Sequence, residues 1–127
     1  MSVNVANIRV SNQTFVGEVP TSSAFKHFKT DIYAVRALIA LLHTYYYKYN
    51  CNSISLLISR YAPSSENDTD SYINYVNSKF VYDVPLRFNK DTIFHVCNSI
   101  CLMETHYILF YATFLKAWNL YFNIKKL

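Results

Sequence analysis

The stretch Ile58-Ser59-Arg60-Tyr61-Ala62-Pro63-Ser64-Ser65-Glu66-Asn67-Asp68-Thr69-Asp70-Ser71-Tyr72-Ile73 closes one helix, turns at a proline and opens another. Upstream, Ile54, Leu57, Ile58 and Tyr61 recur at helical spacing behind Ser53, a good N-cap. Pro63 stops that helix, because proline disfavours helical geometry at Ala62 and cannot donate to the ladder. Downstream, Asp68 or Asn67 caps the next helix, where Tyr72, Ile73, Val76 and Phe80 line up. Helix capping therefore accounts for Asn67, Asp68 and Thr69. It leaves Arg60 and Glu66, which either pair across the turn or face a cleft.

The same period extends outward in both directions. Asp31 is the expected cap of a long helix from Ile32 to about Tyr49, with Val35, Leu38, Leu42, Tyr45 and Tyr49 on one stripe. Ile39, Leu41 and Tyr46 widen the apolar surface, as expected of a central, buried helix. The run Tyr45 to Tyr47 suits either core-margin packing or a sugar-stacking or partner surface. Beyond a connection from Phe80 to Asn89 that contains Pro85, Asp91 is the expected cap of a fourth helix bearing Ile93, Val96, Cys97 and Ile100. At about 100° per residue, Glu104 falls on that same face. A carboxylate there would be partly desolvated and could stay protonated to act as a general acid. Alternatively the helix ends at Met103, and Glu104 turns to water or pairs with an arginine. A fifth helix is expected from Tyr107 to about Phe122. Its stripe is Ile108, Tyr111, Leu115 and Trp118, with Phe114 and Phe122 beside it. Lys125 and Lys126 near its end suit the helix dipole.

Residues 1–29 read differently. Asn7 to Val10 and Phe15 to Val19 are candidate short strands, Pro20-Thr21-Ser22-Ser23 is a turn cluster, and Ala24 to Phe28 is a bent extended segment. Gly17 is the only glycine in the chain, which implies a backbone position closed to other residues. The expectation is one mainly α domain spanning 1–127: a compact bundle of about five helices with a small irregular or short-stranded N-terminal layer. A lysozyme-like arrangement is one form of it.

Composition bounds the function. Of 127 residues just over half are hydrophobic, including 12 Tyr and 9 Phe, which suits a packed core and argues against disorder. The net charge is +4 and the basic residues are dispersed, which argues against a nucleic-acid partner. Three cysteines (Cys51, Cys97 and Cys101) do not make a disulfide framework, and His95 and His106 add no recognised ligand spacing, so no metal is expected. With one glycine there is no phosphate-binding loop, and no cofactor is expected. The start lacks a basic segment followed by an apolar core, so synthesis in a bacterial cytoplasm without a signal peptide is expected. Glu104, His106 and Lys116 interrupt the apolar C-terminal run, so no membrane span of about 18 residues is expected.

Several motifs together resemble a family of small phage and prophage proteins described as structural proteins. Asn4-Val5-Ala6-Asn7-Ile8-Arg9 matches its Asn-x-x-Asn-Ile-Arg opening, with Val5-Ala6 where the family has Pro-Gly. Phe15-Val16-Gly17 matches an aromatic-x-Gly step, Phe25 and Phe28 a Phe-x-x-Phe pair, and Arg36-Ala37 an Arg-Ala pair. Ala34 stands where the family has a glycine, and Phe15 and Tyr61 stand where it has tryptophan. The most specific match is Arg60-Tyr61-Ala62-Pro63, then Glu66-Asn67-Asp68-Thr69, then Tyr72-Ile73; Glu104 fits a late family glutamate. The resemblance covers roughly residues 4–104. It implies a virion-associated or accessory phage protein whose surface binds virion proteins or cell-wall glycan. The alternative is an enzyme that cleaves peptidoglycan glycan strands. Its candidate acids are Glu104 and Glu66, and its candidate substrate or partner contacts are Asn7, Arg9, Arg60, Asn67 and Tyr72.

Overall fold

The chain folds in the order β1 (Glu18–Val19), β2 (His27–Phe28), α1 (Asp31–Lys48), α2 (Ile54–Tyr61), α3 (Thr69–Asn77), α4 (Lys90–Thr105) and α5 (Tyr111–Lys126). These elements come from a computed structural model that describes residues 2–79 and 86–126, with side chains as far as residue 123. Expectations that rest on Phe80, Pro85 or the side chains of Lys125 and Lys126 lie outside the described residues. The architecture is mainly α, with a two-stranded antiparallel ribbon in which Glu18 faces Phe28 and Val19 faces His27.

Helix α1 is the axis of the bundle. Val35, Ala37, Leu38, Ile39 and Leu42 lose all contact with solvent. Each such large aliphatic side chain contributes roughly 1.5–3 kcal/mol of transfer free energy. The helix packs against α5, α2, α4 and β2, while α2 packs on α3 and α3 on α4. Arg36 is buried on the α5 side, its guanidinium 5.3 Å from the centre of the Tyr121 ring. Burial pulls its pKa below the usual arginine value.

The helix starts differ slightly from expectation. Thr30, not Asp31, caps α1, and Asn89, not Asp91, caps α4; the acids sit in the first turn, where they favour the helix dipole. Ser53 caps α2 and Asp68 caps α3. Helix α1 ends at Lys48, so Tyr49 is its cap, and Asn50 takes a left-handed conformation.

Helix α5 is the main correction. It begins at Tyr111 instead of Tyr107, and its buried face is Phe114, Ala117 and Tyr121, with Trp118 only half-buried. Ile108 and Tyr111, expected on the inner stripe, are exposed. The cause lies upstream: His106 turns left-handed at φ 61° and ends α4. The connection is then pinned by Leu109 N–H to Asn98 Oδ1 (3.1 Å) and by Tyr107 Oη–H to Asp31 Oδ2 (2.9 Å).

The N-terminal layer is thinner in regular structure than expected. Asn7 to Val10 forms only an isolated bridge, Arg9 to Phe25, and Val3 bridges to Phe28. The expected strand from Phe15 shrinks to its last two residues, because Gly17 has φ +81° and Glu18 N–H turns back to Phe15 O. A buried lysine holds this layer together. Lys26 Nζ donates to Glu18 Oε2 (2.9 Å), Gln13 O (2.7 Å) and Ser11 O (3.4 Å), and only 1% of the residue is exposed. A buried ammonium is tolerable only with such a set of acceptors.

Candidate functional site

The turn between α2 and α3 is braced from within. Thr69 Oγ1 donates to Ala62 O at 2.7 Å, Glu66 N–H to Pro63 O at 3.0 Å and Asn67 Nδ2 to Pro63 O at 3.4 Å. Asp68 accepts from Ser71 N–H and from Ser71 Oγ. The brace leaves the Glu66 and Asn67 side chains lining a cleft between the helices and the N-terminal layer.

The opposite wall comes from the start of the chain. Asn4 Oδ1 accepts Asn7 N–H (2.9 Å), and Asn4 Nδ2 donates to Asn7 Oδ1 (2.7 Å). Asn7 itself is left-handed, with φ 53°, a region asparagine enters more readily than most residues. This pair makes the turn without the Pro-Gly of the motif. Asn7 Nδ2 is thereby aimed at α4, where it donates to Glu104 Oε1 (3.1 Å) and Glu104 O (3.3 Å). Two further bonds fasten the segment: Tyr61 Oη–H to Ala6 O, and Thr105 Oγ1 to Val5 O (2.8 Å).

The cleft has a volume of about 480 Å³. Asn7, Arg9, Arg60, Glu66, Asn67 and Glu104 all line it. Six of the seven candidate residues thus converge, from segments as far apart as the first ten residues and the end of α4. Aromatic wall comes from Phe15, Phe25, Tyr45 and Tyr61. Tyr72 does not line the cleft; it is 4% exposed and lies behind it.

The charged groups are distributed unequally. Arg60 does not pair with Glu66 across the turn. Glu66 Oε2 instead meets Arg9 Nε at 3.0 Å, an exposed ion pair worth about 1 kcal/mol at most. The Arg60 guanidinium sits over tyrosines, 3.6 Å from the Tyr49 ring centre and 5.2 Å from that of Tyr45. Helix α4 continues past Met103 to Thr105, so Glu104 stays on the apolar stripe and faces the cleft at its end, half-buried.

Behind Glu104 the surroundings are protonated and dry. Burial, and then the charge of Glu104, raise Tyr72 well above the ordinary tyrosine pKa. Its hydroxyl meets no partner at ordinary hydrogen-bond geometry among the described residues. Tyr61 is raised well above its usual value by burial first and then by Tyr72 and Glu104. The Cys101 thiol is pushed up to about 12 by burial and then by Glu104. Cys51, Cys97 and Cys101 are free and buried. Among the described residues no group of three or more His, Cys, Asp or Glu is placed to hold a metal ion. No helix of the described residues is long and apolar enough to cross a membrane.

Comparison with known proteins adds one finding. Over 87 residues the chain is 37% identical to Protein P5 of Pseudoalteromonas phage PM2. The chain is similar to a bacteriophage protein. The match covers 68% of this chain and 54% of that protein, so the chain spans about half the length of the curated relative it matches. No family model matches. The similarity supports the phage context that the motifs imply.

Sequence reasoning missed several parts of the site. Asn4 and Thr105, which hold the N-terminal turn against α4, carried no periodic signal. Tyr45 was visible as a member of the first helical stripe and of a tyrosine run, and Tyr61 as a member of an apolar stripe and of the Arg60-Tyr61-Ala62-Pro63 motif, but neither was named as a wall of the cleft. Their roles depend on contacts spanning tens of residues.

Proposed function

We propose that this is a phage accessory protein that takes a cell-wall glycan strand into the cleft and cleaves it with Glu104 as the acid. The observation that carries this is the Asn7–Glu104 contact at the floor of an aromatic-walled cleft. Aromatic faces and amide and guanidinium donors suit a sugar polymer, and a glycosidic oxygen needs a proton donor to leave. Asn7 donates to Oε1 and so fixes the orientation of the carboxyl group at the cleft wall. The carboxylates lining the cleft are Glu66 and Glu104, and Glu66 is held by Arg9. That favours a one-acid route over a paired-carboxylate hydrolase. Glu104 gives its proton to the leaving oxygen as the C1–O bond breaks. A hydroxyl of the same sugar then closes on C1 and returns its proton to Glu104, so no water is consumed.

The test is digestion of purified peptidoglycan with product masses, for wild type beside Glu104→Gln and Glu66→Gln. Products lighter by one water than hydrolysis products, lost by at least about 100-fold in Glu104→Gln alone, are expected. Absence of cleavage at acidic and neutral pH would reject the enzyme. The second reading would then stand, a virion-associated module that binds a partner or glycan without cutting it. The observation favouring that reading is the bracing of the α2–α3 turn, which serves a rigid binding surface equally well.

A further inference from the structure

Glu66 and Arg9 neutralise one another, which leaves Arg60 as the cation lining the cleft without a carboxylate partner. Among the described residues Arg60 forms no ion pair. Its guanidinium is nonetheless held in place, its carbon 3.6 Å from the Tyr49 ring centre and 5.2 Å from that of Tyr45. A ring contact takes up none of the N–H donors in a hydrogen bond to a carboxylate, so the donor fork remains for a ligand. That fork matches a carboxylate in two parallel hydrogen bonds. Exposure keeps the fork accessible from solvent.

We propose that Arg60 anchors a carboxylate carried by the glycan, so that the cleft selects an acidic strand over a neutral one. The proposal rests on the glycan reading above and adds its substrate class. The acid would be a free carboxyl substituent on every second sugar, as on a lactyl ether whose carboxyl is not joined to a peptide. Seating that carboxylate on Arg60 fixes the register of the strand in the cleft that Glu104 also lines.

The test is calorimetric binding of two peptide-free oligosaccharides of equal length. One is a neutral β-1,4-linked N-acetylglucosamine oligomer; the other carries a free lactyl carboxylate on alternate sugars. All measurements use the Glu104→Gln variant, so that neither ligand is consumed. The acidic oligomer should bind about 10- to 100-fold more tightly, the range for hydrogen bonds to a charged group. Adding Arg60→Gln should abolish the preference, weakening the acidic oligomer about 10- to 100-fold more than the neutral one. Arg60→Lys should recover only part of the preference, since an ammonium keeps the charge but loses the fork. Circular dichroism of each variant checks that the fold is kept, as expected for an exposed residue. Equal binding by the parent, or a preference that survives Arg60→Gln, would overturn the inference and leave the glycan reading intact. Failure of both oligomers to bind the parent would overturn both.

Discussion

Replacing Gly17 by alanine should destabilise the protein by an amount that the structure partitions into two parts. A Cβ at residue 17 would lie 2.6 Å from both Cβ and Cδ1 of Tyr33, and nearer still to Cγ. Tyr33 Cβ is carried on the backbone of α1, so rotating the ring outward does not relieve the clash. Overpacking of this kind costs about 1–3 kcal/mol. The left-handed φ of +81° adds about 1 kcal/mol for a residue with a Cβ. Alanine also restricts the unfolded chain, which returns about 0.4–1 kcal/mol. The net loss should be about 2–3 kcal/mol, or roughly 10 °C in Tm for a chain of this size. Urea unfolding followed by circular dichroism measures it for wild type, Gly17→Ala, Tyr33→Ala and the double variant. In the Tyr33→Ala background the ring contacts are gone while the Cβ contact and the left-handed φ remain, so Gly17→Ala should cost about 1 kcal/mol less than in wild type. An equal cost in both backgrounds would refute the steric part of the argument. A cost near zero in wild type would refute the whole.

Two further outcomes follow from buried polar groups. Lys26→Met should cost about 3 kcal/mol, because it leaves Glu18 and two backbone carbonyls without their donor; hydrogen exchange should accelerate at Phe15 N–H, which donates to Glu18 Oε1. Stability should also fall at alkaline pH. Folding raises Cys101 from 9.0 to about 12 and also raises Cys97, Tyr61, Tyr72 and Tyr107. The folded chain then binds more protons than the unfolded one above pH 9, so ΔG of unfolding declines with rising pH. Urea titrations should give a plateau below about pH 8 and a steady loss from pH 9 towards 12; a flat profile to pH 11 would contradict the burial of these groups.

The helices were legible because their apolar residues keep a 3.6-residue period over two to five turns, which is a local property. Cap positions slipped by one or two residues where cap-type side chains adjoin, as at Thr30 and Asp31 or Asn89 and Asp91. The start of α5 was misplaced because Ile108 and Tyr111 continue the apolar spacing although both are exposed. The turn that separates them from α4 is made by a histidine, which carries no turn signature. Glu104 could be placed on an inward face from its spacing to Ile93, Cys97 and Ile100. Its partner Asn7 could not, because 97 positions separate them. Of the two readings left open for Arg60 and Glu66, the cleft-facing one is seen, and the pairing of Glu66 with Arg9 has the same long-range origin. Periodicity describes one element at a time, and the cleft belongs to several.

The Asn7–Glu104 bond also sets an order of assembly. Closing a loop of that length is entropically among the costlier steps available to this chain. Helices α1, α2 and α3 contain no residue beyond Asn77 and can gather while synthesis continues. The cleft cannot close until Thr105, which grips Val5 O, has left the ribosome. The first ten residues must therefore wait, unpaired with α4, for most of the chain to follow. A growing chain would acquire helical structure well before its cleft is complete, so the cleft forms late and nearly all at once.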